Sequence, residues 1–318
     1  MSTRALVLPI LLAFSLPLSS SAQQLQELAS SCVRVAPQFS HACVDGALAA
    51  RGLLGNTGLL LGLGSEVPGS WGPLRSGAPK LEIAFRAAGL MARIPDLTYQ
   101  PIGSSAKEDF LLTTMQGSIV LGVFEGFQVK PTAGGFLAVE LIAQGNILFL
   151  PTARGLESRV GGFSLGTRLG LLRETFTLPG IAISISRGSI GLLSFDWMSD
   201  GYNTAVEIEP SVTSARVTIG KDLSLLGLMG GAGLDSYNSQ VKLSVLSQGN
   251  DLAEVAAPLI LRRPVLFSSV SLSLLILQLS TEFGWAWGFP MLEGYSLGPF
   301  DPTRGSVFLS LGARLTIR

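Results

Sequence analysis

The 318-residue chain has little of what most enzyme and nucleic-acid chemistry requires. It has one histidine, His41, and two cysteines, Cys32 and Cys43. A Ser-His-Asp or Cys-His machinery would have to be built around His41, in the part of the chain with the least strand character, and no catalytic residue is assigned. Two Cys and one His without a nearby fourth ligand make a poor zinc site. Charged residues are 14% of the sequence, with Lys plus Arg and Asp plus Glu equal at 22, so no basic excess points to nucleic acid. Gly220-Lys221 is not a phosphate loop, because Ala215 and Asp222 stand where the preceding glycine and the following Ser or Thr would be. No acidic loop fits the calcium-hand pattern. No cofactor or metal is therefore expected. Beyond residue 22 there is also no run of about eighteen apolar residues, the length of a spanning helix. Yet 47% of the residues are hydrophobic and mean hydropathy is +0.47. The remaining way for such a chain to cross a bilayer is a closed β-barrel, in which strands satisfy one another's backbone groups.

What is present is alternation. In the last stretch, residues 306 to 318, Val307, Leu309, Leu311, Ala313, Leu315 and Ile317 share one face, while Ser306, Phe308, Ser310, Gly312, Arg314, Thr316 and Arg318 lie on the other. An aliphatic face opposite a mostly small or polar one is the pattern of a strand with lipid outside and water inside. The same pattern opens at residues 81 to 91, with Phe85 outward and Glu82 and Arg86 inward. It recurs at 117 to 128, 136 to 150, 163 to 171, 181 to 186, 190 to 198, 205 to 221 and 226 to 235. After a tight turn at Tyr237-Asn238 it resumes at 240 to 245, then at 269 to 274 and 277 to 288. These readings predict an all-β, transmembrane antiparallel barrel of about twelve strands over residues 79 to 318, with ten or fourteen as alternatives. The longer connections, at about 92 to 116, 151 to 160, 248 to 262 and 289 to 304, all fall on the outer side. Phe283, Trp285, Trp287 and Phe289 form an expected aromatic girdle at one membrane interface, with a soluble core as the rival reading.

Residues 1 to 22 read as a secretory signal, with Arg4, an apolar stretch at residues 5 to 18, and Ser20-Ser21-Ala22 at the cleavage site. An uncleaved anchor competes poorly, since the run is short and contains Pro9 and Pro17. An exported chain makes a Cys32–Cys43 disulfide the favoured reading, over free thiols or a metal pair with His41. Residues 23 to 78 are not barrel-like. Their small and apolar residues from Ala42 to Leu54 suit a helix, and the Gly- and Pro-rich run that follows breaks regular structure. The segment reads as a periplasmic cap, a plug in the lumen, or a loose leader.

The motifs Gly231-Ala232-Gly233-Leu234-Asp235-Ser236-Tyr237, following Ile219-Gly220-Lys221-Asp222, and Phe300-Asp301-Pro302-Thr303-Arg304-Gly305 resemble those of uncharacterised Gly-rich bacterial outer-membrane barrels. The plan of an apolar N-terminal segment before a barrel is similar, more distantly, to the long-chain fatty-acid transporter type. The resemblance implies a bacterial outer-membrane location, with membrane lipid and the barrel-assembly machinery as partners; oligomeric state is left open. The chain departs from the pattern in ending on Ile317-Arg318 rather than on the terminal Phe read by that machinery.

The candidate site is the inward charge: Glu82, Arg86, Glu140, Arg168, Arg216, Lys242, Glu282 and Arg314. Either these residues form a charged constriction that filters solutes, or they pair across strands and fill a narrow barrel. The leading functional expectation is a passive channel or transporter for small or apolar molecules. The alternative is a non-conducting barrel serving envelope structure, anchoring or adhesion. An apolar segment seated in the lumen would favour gated transport, and a lumen closed by paired charges would favour the alternative.

Overall fold

The computed structural model describes residues 19–63, 81–95, 107–127, 136–151, 156, 159–175, 177–199, 202–247, 250–289 and 301–317. The expected signal segment up to residue 18, the Pro-Gly run and parts of the four expected long connections lie outside the described residues. Two helices come first, α1 (Ser19–Val35) and α2 (Ser40–Gly62), separated by a short 3-10 turn at Pro37–Phe39. Twelve strands follow: β1 (Leu81–Pro95), β2 (Lys107–Phe124), β3 (Ala138–Phe149), β4 (Arg159–Leu172), β5 (Gly180–Ile190), β6 (Leu193–Ser199), β7 (Tyr202–Ile208), β8 (Ser211–Leu223), β9 (Leu226–Ser247), β10 (Asn250–Leu274), β11 (Leu277–Ala286) and β12 (Ser306–Ile317).

Ten of these strands close into a barrel in the order β1-β2-β3-β4-β5-β8-β9-β10-β11-β12, with β12 pairing back to β1 from Leu81↔Ile317 onward. Closure leaves the wall no free edge, so its backbone groups need no water. The end at which β1 starts and β12 finishes is called the terminal end. Two of its turns, Ser224-Leu225 and Leu275-Ile276, are two residues long. Ser224 and Leu275 there take φ of 65° and 58°, the left-handed backbone that tight hairpin turns demand.

The wall thus has ten strands rather than twelve, although twelve strands exist. The expected strand at 205 to 221 is two, interrupted at Glu209-Pro210, where proline has no N–H for the ladder. Conversely, the expected strands at 226 to 235 and 240 to 245 are one, because β9 runs through Tyr237-Asn238 without turning. The segment at 248 to 262, expected as a loop, is mostly the start of β10. The strand at 190 to 198 exists in part as β6, but outside the wall. There β6 pairs with β7, and β7 pairs with the far half of β9 from Tyr202↔Ser247 to Ile208↔Val241. Together with the far half of β10, these strands make a four-stranded sheet standing beyond the barrel at the end opposite the termini.

Along β9 and β10 the character of the two faces exchanges at one level. On β9, Leu226 and Leu228 are exposed on the outside and Gly233 and Asp235 are buried inside. Farther along, Asn238 and Gln240 are outside and Tyr237, Val241, Leu243 and Val245 are fully buried. On β10, Leu266, Val270 and Leu272 are outside against buried Ser269 and Ser271, whereas beyond Pro264 it is Leu261 and Leu259 that are buried. The continuous outward apolar runs end at Leu234 on β9 and Leu266 on β10, near neighbours in register, since Ala232 faces Leu266 and Leu234 faces Pro264. The strand is continuous and only the solvent changes, from lipid outside to water outside. The outward apolar stretch of β9, residues 226 to 234, matches the roughly 9 to 11 residues a tilted strand needs to cross a bilayer.

Phe85, Leu111, Met115, Phe163, Ile185, Leu309 and Leu311 continue this outward apolar surface around the wall, and Phe85 and Leu311 are 67% and 58% exposed. A belt of that extent on a water-soluble surface would be an aggregation site; on a closed barrel it is the lipid contact. Among the described residues no helix is long and apolar enough to cross a membrane. The chain is a closed antiparallel β-barrel with an outward apolar belt, the form in which strands cross a bilayer.

Candidate functional site

The lumen is occupied by α2. Twenty of its 23 residues are buried, from Ala42 and Cys43 to Gly62, and apolar residues lie all round it, which is the pattern of a helix enclosed on every side. Its start lies under the sheet beyond the barrel, near Trp197 and Leu243, and its end lies between the walls. Two glycines show how close the fit is. A Cβ built on Gly55 would lie 2.4 Å from the Phe289 ring, and one on Gly58 would lie 2.5 Å from the Tyr237 ring. At the far end α1 packs on β10, with Leu25 and Leu28 buried, and Gln24 Oε1 accepts the Ile260 N–H at 2.9 Å. Cys32 of α1 and Cys43 of α2 are disulfide-bonded and buried, with their Cα atoms 5.5 Å apart.

A helix that ends inside a barrel leaves carbonyl oxygens without intrahelical donors. Here the wall supplies them. Gln116 Nε2 of β2 donates to Leu60 O and Leu63 O, both at 2.9 Å, Gln144 Nε2 of β3 to Leu63 O at 3.4 Å, and Arg216 Nη2 of β8 to Gly62 O at 3.4 Å. The Arg216 guanidinium also places positive charge at the negative end of the helix dipole. It is held by Asp235 of β9 at 2.9 Å, and Asp235 accepts a further bond from the Tyr237 hydroxyl at 3.1 Å. Nearer the mouth, Arg263 of β10 donates to Gly55 O at 3.4 Å and to Ser306 Oγ at 2.8 Å, with its guanidinium 4.9 Å from the centre of the Phe289 ring.

Below the helix end comes a layer of paired charges. Glu82 of β1 and Arg314 of β12 are 3.3 Å apart, Glu140 and Arg168 face each other on β3 and β4 at 3.2 Å, and Arg86 reaches past β12 to Glu282 of β11. All six side chains are nearly or fully buried, and Gln278 accepts from Arg314 and donates to Ser271. Between this layer and the end of α2 lies a cavity of about 10 Å³, lined by Arg86, Gln116, Ser118, Gln144, Ser280 and Arg314. That is room for about one water.

Of the eight charged residues expected in the lumen, seven lie there, each with an opposite charge. Lys242 does not. It sits on the outer face of β9 beyond the lipid level, 42% exposed at the side chain, and pairs at 3.2 Å with Glu254 on the outer face of β10. The cause is the exchange of faces: past Leu234 the outside is water, where a lysine belongs. In the expected girdle, Phe283, Trp285 and Trp287 point outward near the far end of β11 and are 38% to 54% exposed. Phe289 does not join them, because β11 stops at Ala286 and the chain turns inward. Its N–H bonds Pro302 O, and its ring is buried under Arg263.

Asp235, Tyr237, Arg263, Gln116 and Gln144 are site residues absent from the expected set. Arg263 shares the odd, inward phase of Ser269 and Ser271, which could have signalled it had the strand been followed past residue 269. Gln116 falls at the end of the expected connection at 92 to 116, and nothing in one sequence announces that a glutamine amide meets a helix end.

No protein-family pattern matches the sequence, and no curated protein matches it either. Solved structures that resemble it in fold are outer-membrane barrels. The translocator domain of the autotransporter NalP from Neisseria meningitidis superposes over 87% of this chain and 97% of its own, with a TM-score of 0.36 and 9% identity. The transport unit of the autotransporter AIDA-I from Escherichia coli covers 85% and 98%, with a TM-score of 0.31 and 8% identity. The attachment invasion locus protein Ail of Yersinia pestis covers 76% and 100%, with a TM-score of 0.30 and 9% identity.

Proposed function

We propose that the barrel is closed as folded and acts as a non-conducting envelope protein, anchored in the outer membrane, with α2 seated in its lumen and the β6–β7 sheet held beyond the bilayer. The observation that carries this reading is the filled lumen, with α2 above, paired charges below and about 10 Å³ between them. A hydrated ion needs a continuous path, and a one-water gap does not provide it. The two-residue turns Ser224-Leu225 and Leu275-Ile276 at the terminal end, with the extra sheet at the opposite end, support an orientation with the termini of the barrel toward the periplasm and the sheet toward the cell exterior. Membrane lipid is the partner of the belt, and the barrel-assembly machinery that of insertion; the reading assigns the chain no reaction. Planar-bilayer recording of the full-length protein is expected to show no steady conductance. Steady, voltage-independent current from the wild type would overturn the proposal.

A second reading, gated passage of small or apolar molecules, draws on the apolar lining of the far half of the lumen, where Leu90, Ile94, Leu112 and Leu148 meet the helix. The likeness in plan to the long-chain fatty-acid transporter type belongs with it. Faster entry of a fluorescent apolar solute into protein-loaded vesicles than into empty ones would favour this second reading.

A further inference from the structure

One arginine stands at the edge of the lipid-facing surface. On β5 the outward positions Ile183, Ile185, Arg187 and Ser189 are all exposed, against buried Ala182 and Ser184. The ladder sets their neighbours. On the β8 side Ile185 faces Ala215, Arg187 faces Thr213 and Ser189 faces Ser211; on the β4 side Leu165 faces Arg187 and Phe163 faces Ser189. Leu165 and Phe163 point outward, 55% and 54% exposed, so the apolar belt continues past Arg187 on one flank while hydroxyls replace it on the other. Arg187 is therefore rooted within the edge of the belt and not clear of it.

A guanidinium rooted there keeps its charge solvated in one of two ways, by pairing with a carboxylate on the wall or by carrying its head along the wall to the headgroup layer. The first is not used. Among the described residues Arg187 has no ion pair, hydrogen bond or ring contact, unlike Arg93, which Asp109 holds at 3.2 Å on the same outer face. Its outward neighbours across the β8 ladder are hydroxyls, and the next carboxylate along that line, Glu209, lies four residues beyond Thr213 with its own N–H bonded to Ser239 Oγ at 2.9 Å. The Ser211 hydroxyl already donates to Asn238 O at 3.1 Å, which leaves those of Thr213 and Ser189 beside the arginine. Facing residues on paired strands hold their Cβ atoms about 4.5 to 5.5 Å apart, and alternate residues on one strand are about 6.8 Å apart. One tetrahedral oxyanion spans that space. The guanidinium fork donates two parallel N–H bonds to it, and a hydroxyl on either side reaches its remaining oxygens.

We propose that Arg187, with the Thr213 and Ser189 hydroxyls, binds the phosphate of a membrane lipid whose acyl chains lie along Leu165, Ile185 and Ile183. A phosphomonoester headgroup fits best, because its oxygens are unsubstituted; a choline headgroup would set its own cation beside the arginine. The bound phosphate offsets a charge that the wall leaves unpaired, and so fixes the depth at which β5 and β8 sit in the bilayer. This site rests on the belt lying in lipid, whichever way the barrel faces and whether or not its lumen conducts.

The test uses the full-length protein refolded in detergent, checked for heat-modifiable gel migration and titrated with dioleoyl phosphatidic acid or dioleoyl phosphatidylcholine, with bound lipids counted by native mass spectrometry. The wild type is expected to take up one phosphatidic acid about tenfold more tightly than phosphatidylcholine, the difference made by one charge-assisted contact. Arg187→Gln should weaken that first binding about tenfold, whereas Arg159→Gln, at another exposed outward position on β4, should leave it unchanged. Both are surface changes, so both variants fold. Dioleoylglycerol succinate, which carries its charge on a carboxylate, separates phosphate from negative charge in general and should bind more weakly than phosphatidic acid. Equal binding of phosphatidic acid and either other lipid, or undiminished binding by Arg187→Gln, or an equal loss in Arg159→Gln, would overturn the proposal. Folded protein recovered in buffer without detergent would instead defeat the lipid belt itself, which tells the two failures apart.

Discussion

Replacing Gly55 and Gly58 with alanine separates a helix seated in the barrel from a helix anywhere else. In an exposed helix each change would stabilise by about 1 kcal/mol, because alanine is the best helix former and glycine among the worst. Within this lumen the added methyls have no room. At Gly58 the new Cβ would stand 2.5, 2.8 and 3.0 Å from Cδ1, Cγ and Cε1 of Tyr237; at Gly55 it would stand 2.4 and 2.5 Å from Cε2 and Cζ of Phe289. Neither ring can easily move aside. Tyr237 is fully buried and tied through its hydroxyl to Asp235, and Phe289 lies under the Arg263 guanidinium. Overpacking of this kind costs about 1 to 3 kcal/mol per site, so after the gain in helix propensity the double variant should lose about 2 kcal/mol of plug stability. That is roughly a thirtyfold rise in the population of the displaced plug. Arg51 is 2% exposed on the seated helix, so tryptic cleavage after it reports the displaced form when reclosing is fast. Refolded barrel, checked for heat-modifiable gel migration, should be cut after Arg51 about thirty times faster in the double variant. Gly145→Ala, where a Cβ meets nothing within 4 Å, should leave the rate unchanged. Cleavage of the double variant at or below the wild-type rate would mean that helix propensity prevails, and α2 would not be the plug described.

Two further expectations concern the lipid level. Leu311→Arg, at the centre of the outward face of β12, should cost on the order of 2 to 4 kcal/mol in urea unfolding from vesicles. Gln240→Arg, also outward but beyond the belt on β9, should cost almost nothing by the same measurement, and equal costs would remove the boundary between them. On the same strand, Leu243→Ala should destabilise by about 2 to 5 kcal/mol because Leu243 is fully buried beside the plug, whereas Lys242→Ala should change stability by less than about 0.5 kcal/mol. The reverse order would restore the inward lysine that alternation alone suggests.

The sequence by itself determined that the chain crosses a membrane with strands. Alternation in β1, β3, β8, β11 and β12 depends on the pleat and on the solvent at each face, both local properties, and in these strands the apolar set lies outward. Within the belt, the same local rule placed Glu82, Arg86, Glu140, Arg168, Arg216, Glu282 and Arg314 inward. It failed where the surroundings of a strand change along its length. On β9 the apolar set passes from even to odd positions at Leu234 to Tyr237, and a turn and a bilayer surface leave the same mark on a sequence. Only the pairing of β9 with β8 below and β7 above distinguishes them, and the second of these pairings passes over the whole of β8, from Tyr202↔Ser247 to Ile208↔Val241. Likewise α2, rich in glycine and apolar all round, fixes a buried helix without naming its container. The container is given by contacts that close the ring of ten strands and bring Gln116, Gln144, Arg216 and Arg263 to the carbonyls of one helix. Each of those side chains lies more than fifty residues from its partner, and no periodicity reaches that far.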